Sequence, residues 1–131
     1  MIRIPKPIYE TIVEHARKEA PLECCGILAG KNGRVQKAFK LKNEEQSPVR
    51  YSVSPQEQIK VFEEMEKDSL DMIAIYHSHT HTPAFPSETD IKLAFYPEVS
   101  SVIISLMEEI PVIKAFRIRK DRIEPEEIEV I

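Results

Sequence analysis

No apolar run in the 131 residues approaches the ~20 that a membrane-spanning helix requires. The opening Met1-Ile2-Arg3-Ile4-Pro5 lacks the apolar stretch of a secretory signal. Membrane binding is therefore not expected, and the default location is the cytoplasm. Only two cysteines occur, Cys24 and Cys25. Being adjacent, they cannot form a disulfide framework. Strong charge of either sign is also missing: 18 Lys and Arg stand against 22 Asp and Glu, a net charge of −4. That balance argues against a protein that grips nucleic acid by bulk electrostatics. Two Asn and four Gln beside 31% charged residues lean toward a heat-adapted source. The length suits one domain, residues 1–131, with a core of its own.

Against this background one stretch stands out, Tyr76-His77-Ser78-His79-Thr80-His81-Thr82-Pro83-Ala84-Phe85-Pro86-Ser87-Glu88-Thr89-Asp90. It holds three of the four histidines and follows the unbroken apolar run Met72–Tyr76. Such a run, with no polar alternation, reads as a strand buried on both faces. Residues two apart on an extended strand point the same way, so His77 and His79 project together. Asp90 follows near a helix start and offers an oxygen. Two imidazoles and a carboxylate match the three protein ligands of a catalytic zinc, whose fourth position is left to water. The competing reading is a polar loop in which Ser87-Glu88-Thr89-Asp90 caps a helix by the Ser-x-x-Asp pattern. The ligand and capping roles do not exclude each other.

The rest of the chain is read in order. Ile2–Ile4 suits a short strand. Ile8, Ile12, Ala16 and Ala20 recur every four residues after Pro7, predicting an amphipathic helix that ends before Pro21. His15, beside Glu14 and Arg17, reads as a solvated helix residue. Pro21–Gly30 is apolar except for Glu23, and Asn32-Gly33 signals a tight hairpin into the alternating segment Val35–Leu41, with Lys37 out of phase. Glu23 is either an ordinary strand-end carboxylate or a positioned general base, and only a spatial meeting with the histidines decides between them.

A polar loop, Lys42–Val49, precedes Arg50-Tyr51-Ser52-Val53, read as a short strand. Ser54-Pro55-Gln56-Glu57 begins a second helix, with Val61, Phe62 and Met65 as its core stripe and Ile59 beside them. It closes near Asp68. Ile91, Leu93, Ala94 and Phe95 predict a helix that stops before Pro97. Val99–Leu106 and Val112–Arg119 read as strands, Lys120-Asp121-Arg122 as a turn, and Glu126–Ile131 as an edge strand. Arg117 and Arg119 form a basic stripe, expected to be a solvated sheet face. The fold class is α/β: a mixed β-sheet flanked by helices, with the metal loop at the C-terminal end of an interior strand, where open α/β sheets bind ligands.

The pattern His77-x-His79, seven residues, Ser87, two residues, Asp90, with Glu23-x-Cys25-Gly26 upstream, resembles the JAMM (MPN+) zinc metallopeptidases. The resemblance extends from about Ile8 to Leu106. It implies a fold similar to that of the cytidine deaminases and one Zn2+ per chain, bound by His77, His79 and Asp90. It implies further that Glu23 is the general acid/base and that Ser87 stabilises the oxyanion. The family acts on bonds after the C-terminal tail of ubiquitin or ubiquitin-like proteins, and some prokaryotic relatives act on sulfur-carrier proteins. Thr80-His81 departs from the family pattern, in which proline commonly follows the second histidine, and makes His81 a rival ligand to Asp90. Because His77, His79 and His81 would converge only on a contorted loop, Asp90 is favoured. Cys24 and Cys25 read as small buried strand residues, not nucleophiles. A nucleobase deaminase would need His-x-Glu and Pro-Cys-x-x-Cys, both absent. The alternatives are a non-catalytic MPN-type interaction module and a metal-sensing domain.

Overall fold

The computed structural model describes residues 1–92, 98–120 and 122–131. In chain order it contains β1 (Ile2–Ile4), α1 (Lys6–Glu19), β2 (Cys25–Lys31), β3 (Arg34–Leu41), α2 (Pro55–Lys67), β4 (Asp71–His79), α3 (Glu88–Lys92), β5 (Ser100–Ser105), β6 (Val112–Arg119), β7 (Arg122–Glu126) and β8 (Ile128–Val130). The strands form one mixed sheet in the order β7-β6-β5-β4-β2-β3-β1-β8. The C-terminal strand β8 thus lies at the far edge, parallel to β1, while β4 runs antiparallel to β2 and parallel to β5. Among the described residues, no helix is long and apolar enough to cross a membrane.

The two long helices cover opposite faces. On one, Ile12, Val13 and Ala16 of α1 pack with Cys24, Leu28, Ala74, Tyr76, Val102 and Ile104. On the other, Val61 and Met65 of α2 pack with Cys25, Ile27, Ala29, Phe39 and Leu41. The neighbouring cysteines therefore point into opposite cores, as strand alternation requires. Burial pushes their thiols up to about 11 for Cys24 and about 12 for Cys25, so neither is a ready thiolate. The Asn32-Gly33 hairpin forms as read, with both residues at positive φ (51° and 78°) and Lys31 opposite Arg34, the two-residue geometry such turns favour.

Four local expectations change. The register shifts where Ala29 faces Lys37 but Gly30 faces Val35, leaving Gln36 as a bulge. The bulge moves Val35 to the α1 face while Phe39 and Leu41 stay on the α2 face, which is why Lys37 looked out of phase. Lys37 instead lies over the Phe39 ring and pairs with Glu64. Arg50–Val53 is no strand; its main chain is held by loop hydrogen bonds. Phe62 and Ile59 are exposed, because α2 buries only the narrow stripe of Val61 and Met65. The helix expected over Ile91, Leu93, Ala94 and Phe95 is seen as α3 through Lys92, and its remainder lies outside the described residues, as does Asp121 of the expected turn. The Arg117–Arg119 stripe is paired within the sheet, with Glu126 and Glu124.

The fourth change concerns His15, which is buried and not solvated. It lies on the same helical face as Ile12, and its Nδ1 meets the hydroxyl of fully buried Tyr76 at 2.8 Å. Tyr76 in turn fills the space above Gly26, where an added Cβ would collide with the ring and sit 2.5 Å from the Phe39 carbonyl oxygen. Burial is the main cause holding His15 below the ordinary histidine value of 6.5. The unfolded chain then takes up a proton at a higher pH than the folded one, so stability is present above about 6.5 and is lost as pH falls below it. In metal-free protein, urea midpoints measured from pH 7.5 to 5 are expected to fall less steeply for His15→Gln than for wild type. Parallel slopes would show that His15 is not the titrating group.

Candidate metal centre

The strand β4 continues through His79, so the histidines occupy its last residues and not a separate loop. Cys25 pairs with His77 across β2 and β4, and the Ser78 amide donates to the Cys24 carbonyl (3.2 Å). The Ser78 hydroxyl, fully buried between the two histidines, accepts from the Cys24 amide at 2.8 Å. Glu23 lies two residues before β2, near enough to His79 and Asp90 for both to act on its charge.

After His79 the chain loops over the sheet and is nailed down before it returns. Ala84 is buried against Ile103 and Phe116, and Phe85 meets the Phe116 ring edge-on at 5.4 Å. The Ser105 hydroxyl donates to the Thr82 carbonyl. These anchors deliver the start of α3, where the Ser87 hydroxyl accepts from the Asp90 amide (3.1 Å) and the Ser87 amide donates to Asp90 Oδ2 (2.8 Å). The capping reading of Ser-x-x-Asp is thus realised. It coexists with a second arrangement at the same carboxylate.

Asp90 Oδ2 lies 3.2 Å from His77 Nε2 and 3.0 Å from His79 Nε2, and the two Nε2 atoms are 3.2 Å apart. All three residues are buried. Ligands at ~2.0–2.1 Å from a tetrahedral centre stand roughly 3.3 Å from one another. The triangle is close to one face of that tetrahedron, so these atoms can hold a small divalent cation. His79 Nδ1 faces the Pro83 carbonyl at 2.9 Å and must donate, so the Nε2 proton directed at Asp90 is the one a bound metal would displace. Burial opposes ionisation of Asp90, but hydrogen bonds from His77 and His79 outweigh it and hold the carboxyl well below the usual range. His81 is exposed and stands outside this group.

Glu23 is 3% exposed, and its Oε1 is buried without a hydrogen-bond partner among the described residues. Burial pushes its pKa up to about 8, with His79 opposing the rise and the Asp90 charge adding to it. A cation between the histidines and Asp90 would draw that value down again. A buried, unpartnered carboxyl beside three ligand-type atoms is a group placed to accept a proton. Glu23 thus lies within electrostatic reach of His79 and Asp90.

Residues 5–119 match the family of prokaryotic homologues of the JAB domain. The chain belongs to that family. Its resemblance to the JAMM (MPN+) proteins is thereby borne out. Among similar proteins, the CysO-cysteine peptidase of Mycobacterium tuberculosis is 42% identical over 100 residues, covering 75% of this chain and 68% of the relative. The Desampylase of Pyrococcus furiosus is 39% identical over 71 residues, 54% of this chain and 51% of its own. A solution structure from Desulfitobacterium hafniense superposes with a TM-score of 0.91 at 40% identity, covering 100% of this chain and 93% of that one. The crystal structure of a JAB1/MPN domain protein from Archaeoglobus fulgidus shares the fold, with a TM-score of 0.66 at 20% identity, over 99% and 97% of the two chains.

Sequence reasoning missed one residue of the site, Tyr51, whose ring stacks on His77 with centroids 5.1 Å apart. Nothing local in Arg50-Tyr51-Ser52-Val53 marks it, since the contact is made across the fold. For the metal, the geometry sets a clear expectation. Titrated with Zn2+, the protein should take up one equivalent, more weakly as pH falls and the imidazoles protonate. Asp90→Ala should abolish tight uptake and His81→Ala should not, as read by competition with a chromophoric chelator. Retained uptake in the first variant and loss in the second would reassign the third ligand.

Proposed function

We propose that this protein is a zinc-dependent metallopeptidase. It hydrolyses peptide or isopeptide bonds that follow the C-terminal tail of a ubiquitin-like or sulfur-carrier protein. The observation that carries the reading is the triangle of His77, His79 and Asp90 atoms, 3.0–3.2 Å on a side, with the buried Glu23 carboxyl within electrostatic reach. The substrate class is supported by relatives named for a CysO-cysteine peptidase and a Desampylase.

In this reading His77, His79 and Asp90 hold the zinc, and Glu23 and Ser87 act on the substrate. Zinc bound there supplies Lewis acidity toward the substrate carbonyl and lowers the pKa of a water to about 7. Glu23 would take a proton from the attacking water on its carboxylate and pass it to the departing amine. Ser87 uses its oxygen to accept from the Asp90 amide, which leaves its hydroxyl hydrogen free to donate where negative charge develops on the carbonyl oxygen, a contribution worth roughly 10²-fold or more. The buried thiols of Cys24 and Cys25 take no part, and no acyl intermediate is required.

The test is hydrolysis of ubiquitin-like Gly-Gly tails joined either to lysine or to cysteine. Cleavage after the second glycine is expected, with kcat lowered roughly 10²–10⁴-fold in Glu23→Gln while Zn2+ uptake is retained. The preferred conjugate sorts isopeptide removal from sulfur-carrier processing. Zinc-loaded protein that cleaves neither conjugate would favour an interaction module or a metal sensor. Equal cleavage by wild type and Glu23→Gln would remove Glu23 from the chemistry.

A further inference from the structure

The two imidazoles that meet Asp90 are held in different ways. His79 is fixed by its Nδ1 hydrogen bond to Pro83 (2.9 Å). His77 Nδ1 is buried and has no hydrogen-bond partner among the described residues. An imidazole without such a bond is poorly restrained about χ2, a torsion with broad wells, whereas metal-binding histidines are ordinarily oriented through their second nitrogen. What lies against His77 instead is the ring of Tyr51, stacked at 5.1 Å with the planes 30° apart.

Tyr51 sits in no helix or strand, so its position depends on whatever holds the loop between β3 and α2. That is the buried side chain of Asn43. Its Nδ2 donates to the carbonyls of Glu23 (3.0 Å), Arg50 (3.0 Å) and Ser47 (3.4 Å). Its Oδ1 accepts from the amides of Glu45 (3.0 Å) and Ser52 (3.3 Å). The tie to Glu23 is doubled by the Glu23 amide, which donates to the Ser47 carbonyl at 2.9 Å. One buried amide thus grips the main chain of Glu23 and the main chain on either side of Tyr51.

We propose that Asn43 and Tyr51 are the positioning residues of this centre: Asn43 locks the loop to the backbone of Glu23, and the Tyr51 ring, carried by that loop, sets the plane of the His77 imidazole. The general base and one metal ligand are thereby referenced to the same side chain, although Glu23 precedes β2 and His77 lies in β4. The inference rests on His77 being a metal ligand. Neither residue touches the reacting atoms in this scheme, and stacking requires the aromatic ring of Tyr51 but not its hydroxyl.

The experiment is Zn2+ affinity of the full chain by chelator competition, with no substrate present, for wild type, Tyr51→Phe, Tyr51→Leu and Asn43→Asp. Urea midpoints of the metal-free proteins report the fold separately. Tyr51→Phe should bind like wild type. Tyr51→Leu should bind roughly 10–100-fold more weakly, the usual cost of losing a group that orients a ligand. Asn43→Asp keeps the acceptor but loses the three donated bonds, and should weaken binding in the same direction. If it does not fold, the two Tyr51 variants decide alone. Equal affinity of Tyr51→Leu and wild type would overturn the proposal while leaving the metal reading intact. A wild type that takes up no Zn2+ would overturn both. Weakening in Tyr51→Phe as severe as in Tyr51→Leu would move the role from the ring to the hydroxyl and overturn the stacking argument.

Discussion

The antiparallel pairing of β2 with β4 is the constraint on which the rest of the site depends. Cys25 opposite His77 sets the face that His77 and His79 present, and a one-residue slip would turn the side chains of one strand to its other face. The register is specified by burial: β2 places Leu28 in one core and Cys25, Ile27 and Ala29 in the other, and β4 adds Ala74 and Tyr76 to the first. Gly26 contributes by leaving room for Tyr76, and Ser78 adds a side-chain bond to the Cys24 amide at the level of the histidines.

That pairing and the anchored loop into α3 gather two imidazoles and two carboxyls in a buried place. Charged groups are costly to bury unless paired, and the site answers in two ways. Asp90 remains ionised because two imidazoles and the Ser87 amide bond to it. Glu23 Oε1 has no such partner among the described residues, and burial pushes the carboxyl toward its neutral form. The difference between the two carboxyls is one of environment: one is held ionised and the other is pushed toward its neutral form. A cation in the triangle would offset the remaining imbalance.

Much of this was legible in the chain. The Ser-Pro-x-Glu helix start, the Asn-Gly hairpin, and the Met72–Tyr76 strand with His-x-His at its end each carry a local signal and formed where the spacing put them, although Met72, Ile73 and Ile75 are only half-buried. The errors also have local causes. A bulge at Gln36 breaks the alternation that a strand pattern assumes. Phe62 and Ile59 were counted as core by hydropathy, although α2 touches the sheet along one narrow stripe. His15 looked solvated beside Glu14 and Arg17, because helical spacing tells which residues share a face and not which partner, here the Tyr76 hydroxyl, waits on the other side.

By itself the sequence determined the residue types and their spacing: an apolar strand ending in His-x-His, a carboxylate eleven positions after the second histidine, and a glutamate at the mouth of another apolar strand. Those patterns act through neighbours in the chain, where backbone periodicity turns spacing into direction. Only the tertiary structure decided that Glu23 lies within electrostatic reach of His79, that Asp90 completes the triangle and His81 does not, and that Tyr51 lies on His77 through a loop gripped by Asn43. Each of these depends on strand register and on the path of a loop across the sheet. Such long-range contacts arise from the packing of the whole core, for which no short stretch of sequence carries a signal.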